Sequence, residues 1–172
     1  MTDLFTMSSA VFSPDRVYRY RLSRIWDRSV RPAVFIMLNP STADEITDDA
    51  TIRRCKGYAH AWHYGGIVVV NLFAYRATDP AELKKADNPI GGPDNDRHII
   101  EACEDSAIVV CAWGVHGTYK ARDEDVLRML FSLNLTPHYL QLSGNGSPRH
   151  PLYLSASLKP QPLSVTHFKE AA

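Results

Sequence analysis

Three apolar runs without polar alternation mark strands covered on both faces. Residues 33–38 and 67–70 are dense in Val, Ile and Phe and give way to polar or turn-forming residues, and residues 107–113 end at Gly114. A spacing of three and four over residues 49–63, with Ile52, Cys55, Ala59 and Trp62 in phase, predicts a helix between the first two runs. Residues 95–103 and 122–133 predict two more, the first capped by Asp94, and 80–85 a short helical turn inside the Pro- and Gly-rich connection 77–94. Alternating strand and helix implies an α/β fold, a three-layer sandwich with a mostly parallel central sheet.

At the N-terminal side, residues 17–22 alternate, with Tyr18, Tyr20 and Leu22 on one side and Arg19 and Arg21 on the other. Residues 1–30 therefore read as an edge-strand or hairpin addition to a single α/β domain spanning residues 1–172. Pro137 weakens a strand at its own position, while 138–142 suits one. Residues 142–163 are rich in Ser, Gly and Pro and predict loops, and the tail 165–172 reads as either an ordered edge or a frayed end.

Charge narrows the partners. Lys plus Arg equals Asp plus Glu, 19 each, so no global field draws the chain to a polyanion. Six Arg lie within residues 1–40, however, and Asp44, Glu45, Asp48 and Asp49 crowd the next ten positions, so local patches of either sign remain open. Cys55, Cys103 and Cys111 lack a CxxC spacing and read as free thiols of a reducing compartment. With no apolar run near 18 residues and no leader pattern, the expected location is the cytoplasm, with no membrane association. Cys55, His60 and His63 do not complete a zinc spacing, and no GxGxxG, P-loop, HExxH or GxSxG motif occurs. Neither a metal nor a cofactor is expected.

Three loops carry the candidate chemistry. Asn39, Pro40 and Ser41 follow the first apolar run, at the strand end where α/β sheets collect ligands; the same residues also make an ordinary turn. Asn71 follows the second run, with Tyr75 and Arg76 after it. Its amide suits the edge of an amide-containing ring, or caps the loop leaving the strand. Arg76 holds an anion or pairs with Asp79. In the Pro-stiffened stretch 147–154, His150 can donate to an oxygen gaining charge and Arg149 can meet a phosphate, unless both only decorate a surface loop.

Taken in order, Met37-Leu38-Asn39-Pro40-Ser41, Val70-Asn71-Leu72 with Tyr75-Arg76, Val110 to Gly114, and Arg149-His150-Pro151 through Ser155 resemble the uracil-DNA glycosylase superfamily. The whole chain is similar to the bacterial and phage family called domain of unknown function 1643. The first resemblance implies a glycosylase-like sheet with helices on both faces and hydrolysis of a nucleobase N-glycosidic bond, on a modified or mismatched base flipped into a cleft. It implies that Asn39 orients water, that Asn71 reads the base with Tyr75 nearby, and that His150 stabilises the departing base. An Asn amide takes no proton near neutral pH, so Asp44, Asp48 and Asp49 are the candidate acceptors. Arg76 and Arg149 are the candidate phosphate contacts. DNA, RNA or a free nucleotide is the expected partner; the alternative is a protein binding nucleotide or nucleic acid in the same cleft without turnover.

Overall fold

The computed structural model describes residues 5–164, so the tail 165–172 and residues 1–4 lie outside it. Seven strands form one open sheet in the order β1-β2-β4-β3-β5-β6-β7. They are β1 (Met7–Phe12), β2 (Arg19–Ile25), β3 (Ala33–Met37), β4 (Gly66–Asn71), β5 (Ile108–Cys111), β6 (Pro137–Tyr139) and β7 (Gln161–Pro162). The helices are α1 (Ala50–Ala61), α2 (Pro80–Lys85), α3 (Pro93–Glu104) and α4 (Arg122–Ser132).

The sheet is mixed, which corrects the expectation of a glycosylase-like three-layer sandwich with a mostly parallel sheet. Only the ladders β4-β3, β3-β5 and β5-β6 are parallel; β1-β2, β2-β4 and β6-β7 are antiparallel. The physical reason lies at the margins. The N-terminal hairpin lays β2 against β4 in the opposite direction, and the loop after β6 returns β7 against it. Apolar runs mark buried strands but carry no direction.

The central strands are buried from end to end. Val34 and Ile36 pack with Ile99, Cys103, Val126 and Leu130 of α3 and α4 on one face, while Phe35 and Met37 pack with Ile52, Cys55 and Tyr58 of α1 on the other. Asp49 caps α1 by accepting from Ile52 N at 2.9 Å. The third helix begins earlier than expected: Gly92 occupies the cap, at φ 72°, Pro93 opens the first turn, and Asp94 lies within that turn. Pro137 is tolerated because it is the first residue of its strand.

Side-chain parity in β2 also departs from simple alternation. Val11 pairs with Arg21 but Phe12 with Arg19, so Tyr20 is an extra residue with no counterpart on β1. The bulge resets the faces. Tyr20 stacks on His98 of α3 with ring centroids 5.2 Å apart, whereas Leu22 joins the core on the α1 side, and Arg19, three residues earlier across the bulge, shares that side. Among the described residues no helix is long and apolar enough to cross a membrane.

Candidate functional site

The carboxyl ends of β3, β4 and β5 open into a cleft of about 500 Å³. The chain runs from β3 to β4 on one side and then from β4 back past β3 to β5 on the other, so the connections reverse direction at β3, the arrangement at which α/β sheets leave a crevice. Asn39, Asn71 and His150 all line it, as do Asp49 and Arg149. Asp44, Asp48, Tyr75 and Arg76 are not among its lining residues.

Each excluded residue has an occupation elsewhere. Asp44 accepts from the backbone N–H groups of Ile46 and Thr47 at 2.9 and 2.7 Å, and those bonds hold its carboxyl below the usual range. Burial opposes ionisation of Asp48, but Lys56 and Arg24 outweigh it with bonds of 3.0 and 2.8 Å, leaving its carboxyl below the usual range. Tyr75 stands edge-on to Tyr18 and packs against the core. Arg76 donates to Arg16 O at 3.2 Å and lies 4.9 Å from the Phe12 ring centroid, a contact set remote from the expected pairing with Asp79.

In the cleft, geometry assigns hydrogen-bonding roles. Asn39 donates through Nδ2 to Ala77 O at 2.7 Å and Pro40 O at 3.1 Å. Only an amide NH₂ can satisfy two carbonyls, so the side chain is fixed with Oδ1 as its remaining acceptor. His150 caps the short 3-10 turn Pro151–Tyr153, its Nδ1 accepting from Leu152 N at 3.2 Å. An accepting Nδ1 places the proton of the neutral ring on Nε2. Burial lowers the pKa of His150, with Asp49 opposing, which favours that neutral form. The ring is then a neutral donor.

Asn71 closes the floor. It ends β4 on the face shared by Ile67 and Val69, 1% exposed, and neither Oδ1 nor Nδ2 has a partner. Trp113 Nε1 is likewise buried without one, and a methyl at Gly117 would overlap its indole, so that glycine makes room for the ring. Such atoms are costly unless something entering the cleft completes them.

Sequence reasoning missed Arg19, which also lines the cleft. It is 2% exposed, its Nη1 donates to Ala43 O at 2.9 Å, and its Nε has no partner. Burial pushes its guanidinium down to about 10, with Asp49 opposing. The available signal was a strand Arg so close to apolar positions that one extra residue would turn it inward. Tyr153, 87% exposed, lines the same cleft as Arg149. Asp49 is the lining carboxylate. No group of His, Cys, Asp and Glu suited to a metal ion occurs among the described residues.

No curated protein and no solved structure matches the chain. Residues 19–152, from the cleft arginine of β2 to the turn after His150, match the family model described as Protein of unknown function (DUF1643), and the chain belongs to that family.

Proposed function

We propose that this protein binds a nucleobase in the cleft and hydrolyses its N-glycosidic bond, on a free nucleotide or a nucleic acid. The observation that carries the reading is Asn71: a buried amide with both ends unpartnered, in the same cleft as Asn39, Asp49 and His150. A ring bearing adjacent N–H and C=O groups complements that amide. Water accepted by Asn39 Oδ1 attacks the anomeric carbon and passes its proton to the Asp49 carboxylate. The bond to the base nitrogen breaks, its electron pair leaves with the base, and His150 Nε2–H donates to the base oxygen on which that charge collects. Tyr153 offers a stacking surface.

The test is incubation of the full-length protein with uracil-containing and otherwise altered single- and double-stranded oligonucleotides and with nucleotides, followed by mass spectrometry. A released base together with an abasic or sugar product is expected, lost in Asp49→Asn. Finding neither product with any substrate overturns the reaction.

One observation favours a second reading, binding without turnover: Asp49 Oδ1 already accepts the Ile52 N–H of α1, so one of its two carboxylate oxygens is committed to the cap. On that reading calorimetry detects saturable nucleobase binding unchanged by Asp49→Asn, with no product.

A further inference from the structure

We infer that the cleft floor contains an oxyanion subsite built on Arg19, which takes a carboxylate or phosphate oxygen of the ligand beside the group read by Asn71. Three arginines of the chain are buried. Two have carboxylate partners, Arg24 with Asp48 and Arg122 with Asp96. Arg19 has none within ion-pair distance among the described residues, and it is the buried arginine that lines the cleft. A buried guanidinium is tolerated when an anion and hydrogen bonds compensate it, so the unpaired one facing a cavity is the one shaped for an anion that arrives.

Placement supports a ligand rather than a structural ion pair. The Ala43 carbonyl anchors Nη1 and so fixes the plane of the fork, while Nε remains buried without an acceptor. The ladder between β2 and β4 pairs Leu22 with Val69, which brings Arg19 alongside the end of β4 where Asn71 stands, both on the α1 side of the sheet. One small molecule therefore reaches both. The positive charges of Arg24 and Arg76 bear on the same spot, and Asp49 is the acidic counterweight. With no net charge on the chain, attraction for an anion has to be local, as this is.

The ligand class is thus an anionic nucleobase derivative, bearing its charge on the ring or on a phosphate; this rests on Asn71 reading a nucleobase. Calorimetric titration of the full-length protein with uracil against orotate, and uridine against uridine monophosphate, separates the two sources. At least one charged member should bind ~10-fold or more tightly than its neutral partner. Orotate preference identifies a ring carboxylate, uridine monophosphate preference a phosphate. Arg19→Gln should close the gap while Arg19→Lys keeps part of it, with circular dichroism verifying that both variants fold. Equal affinities within both pairs, no binding by either charged compound, or a gap that survives Arg19→Gln overturns the subsite. Anion preference without base release leaves the subsite standing and removes the hydrolase reading; base release without anion preference does the reverse.

Discussion

Replacing Asn71 by Leu should stabilise the unliganded protein while abolishing its ligand binding. The side chain is 1% exposed and neither amide atom is partnered, so folding strips both of water without return. An unsatisfied buried polar group costs ~1–3 kcal/mol, and leucine of similar size removes that cost in a wall already lined by Met37, Ile52 and Val69. For a chain of this length, at ~2–4 °C per kcal/mol, Tm should rise by about 2–12 °C. Asn95 supplies the control. It is equally buried, but its Nδ2 donates to Asn71 O at 3.0 Å and Leu72 O at 3.2 Å. Asn95→Leu removes the side-chain donor to Asn71 O, while Leu72 O keeps Arg122 Nε at 2.8 Å, and, with the unpartnered Asn95 Oδ1 offsetting part of the loss, it should destabilise by ~1 kcal/mol. Thermal and urea unfolding of the two variants should move in opposite directions. If Asn71→Leu falls alongside Asn95→Leu, Asn71 is satisfied in the free protein and its amide is structural rather than poised for a ligand.

Further consequences separate site from scaffold. Asp49→Asn keeps an oxygen for Ile52 N and should hold its unfolding midpoint, whereas Asp49→Ala should lose ~1 kcal/mol of cap; equal losses in urea titrations would contradict the capping geometry. Asp48→Asn weakens the neutralisation of buried Arg24 and should cost ~1–3 kcal/mol while turnover per folded molecule stays unchanged; a specific loss of turnover would bring Asp48 back into the chemistry. His150 and His98 both have folded pKa values lowered by burial, so the unfolded chain binds more protons as pH falls below about 6.5. Stability present above that pH is lost toward acid, and His150→Asn, which retains an acceptor for Leu152 N, should remove part of that slope in urea midpoints measured from about pH 7 to about pH 5. An unchanged slope would refute the assignment. Gly117→Ala drives a methyl into the Trp113 indole and should cost ~1–3 kcal/mol and weaken nucleobase binding; wild-type behaviour in both would show that the ring has room to move.

The parts of the fold legible in the sequence were those whose burial has a period. The three central strands read as apolar runs because helices cover both faces, and α1, α3 and α4 read from spacing because each buries a single stripe. Strand direction has no such trace. β2 and β7 took theirs from a hairpin and a return loop, and those margins made the sheet mixed. In the site, strand ends were a dependable guide: Asn39 and Asn71 each follow or close a buried strand, and both reach the crevice. The acidic cluster was not resolvable in this way. Asp48 and Asp49 are adjacent in sequence, yet one side chain turns to Arg24 and Lys56 while the other caps α1 at the cleft.

Arg19 shows why the remainder was hidden. Strict alternation from Leu22 assigns it to the face opposite the leucine, with Arg21, where a solvated cation needs no explanation. One unpaired residue at Tyr20 reverses that assignment and moves a guanidinium from solvent to the cleft floor, without altering the composition or the apolar pattern of the strand. A bulge in an edge hairpin is thus coupled to the electrostatics of the pocket. The coupling is physical: deleting Tyr20 would leave Arg19 two positions from Leu22 and still on its side, whereas inserting one residue between Val11 and Phe12 to pair with Tyr20 would restore strict alternation and turn the cation outward, leaving Asn71 a neutral floor that should no longer distinguish an anionic ring or a phosphate from its uncharged counterpart.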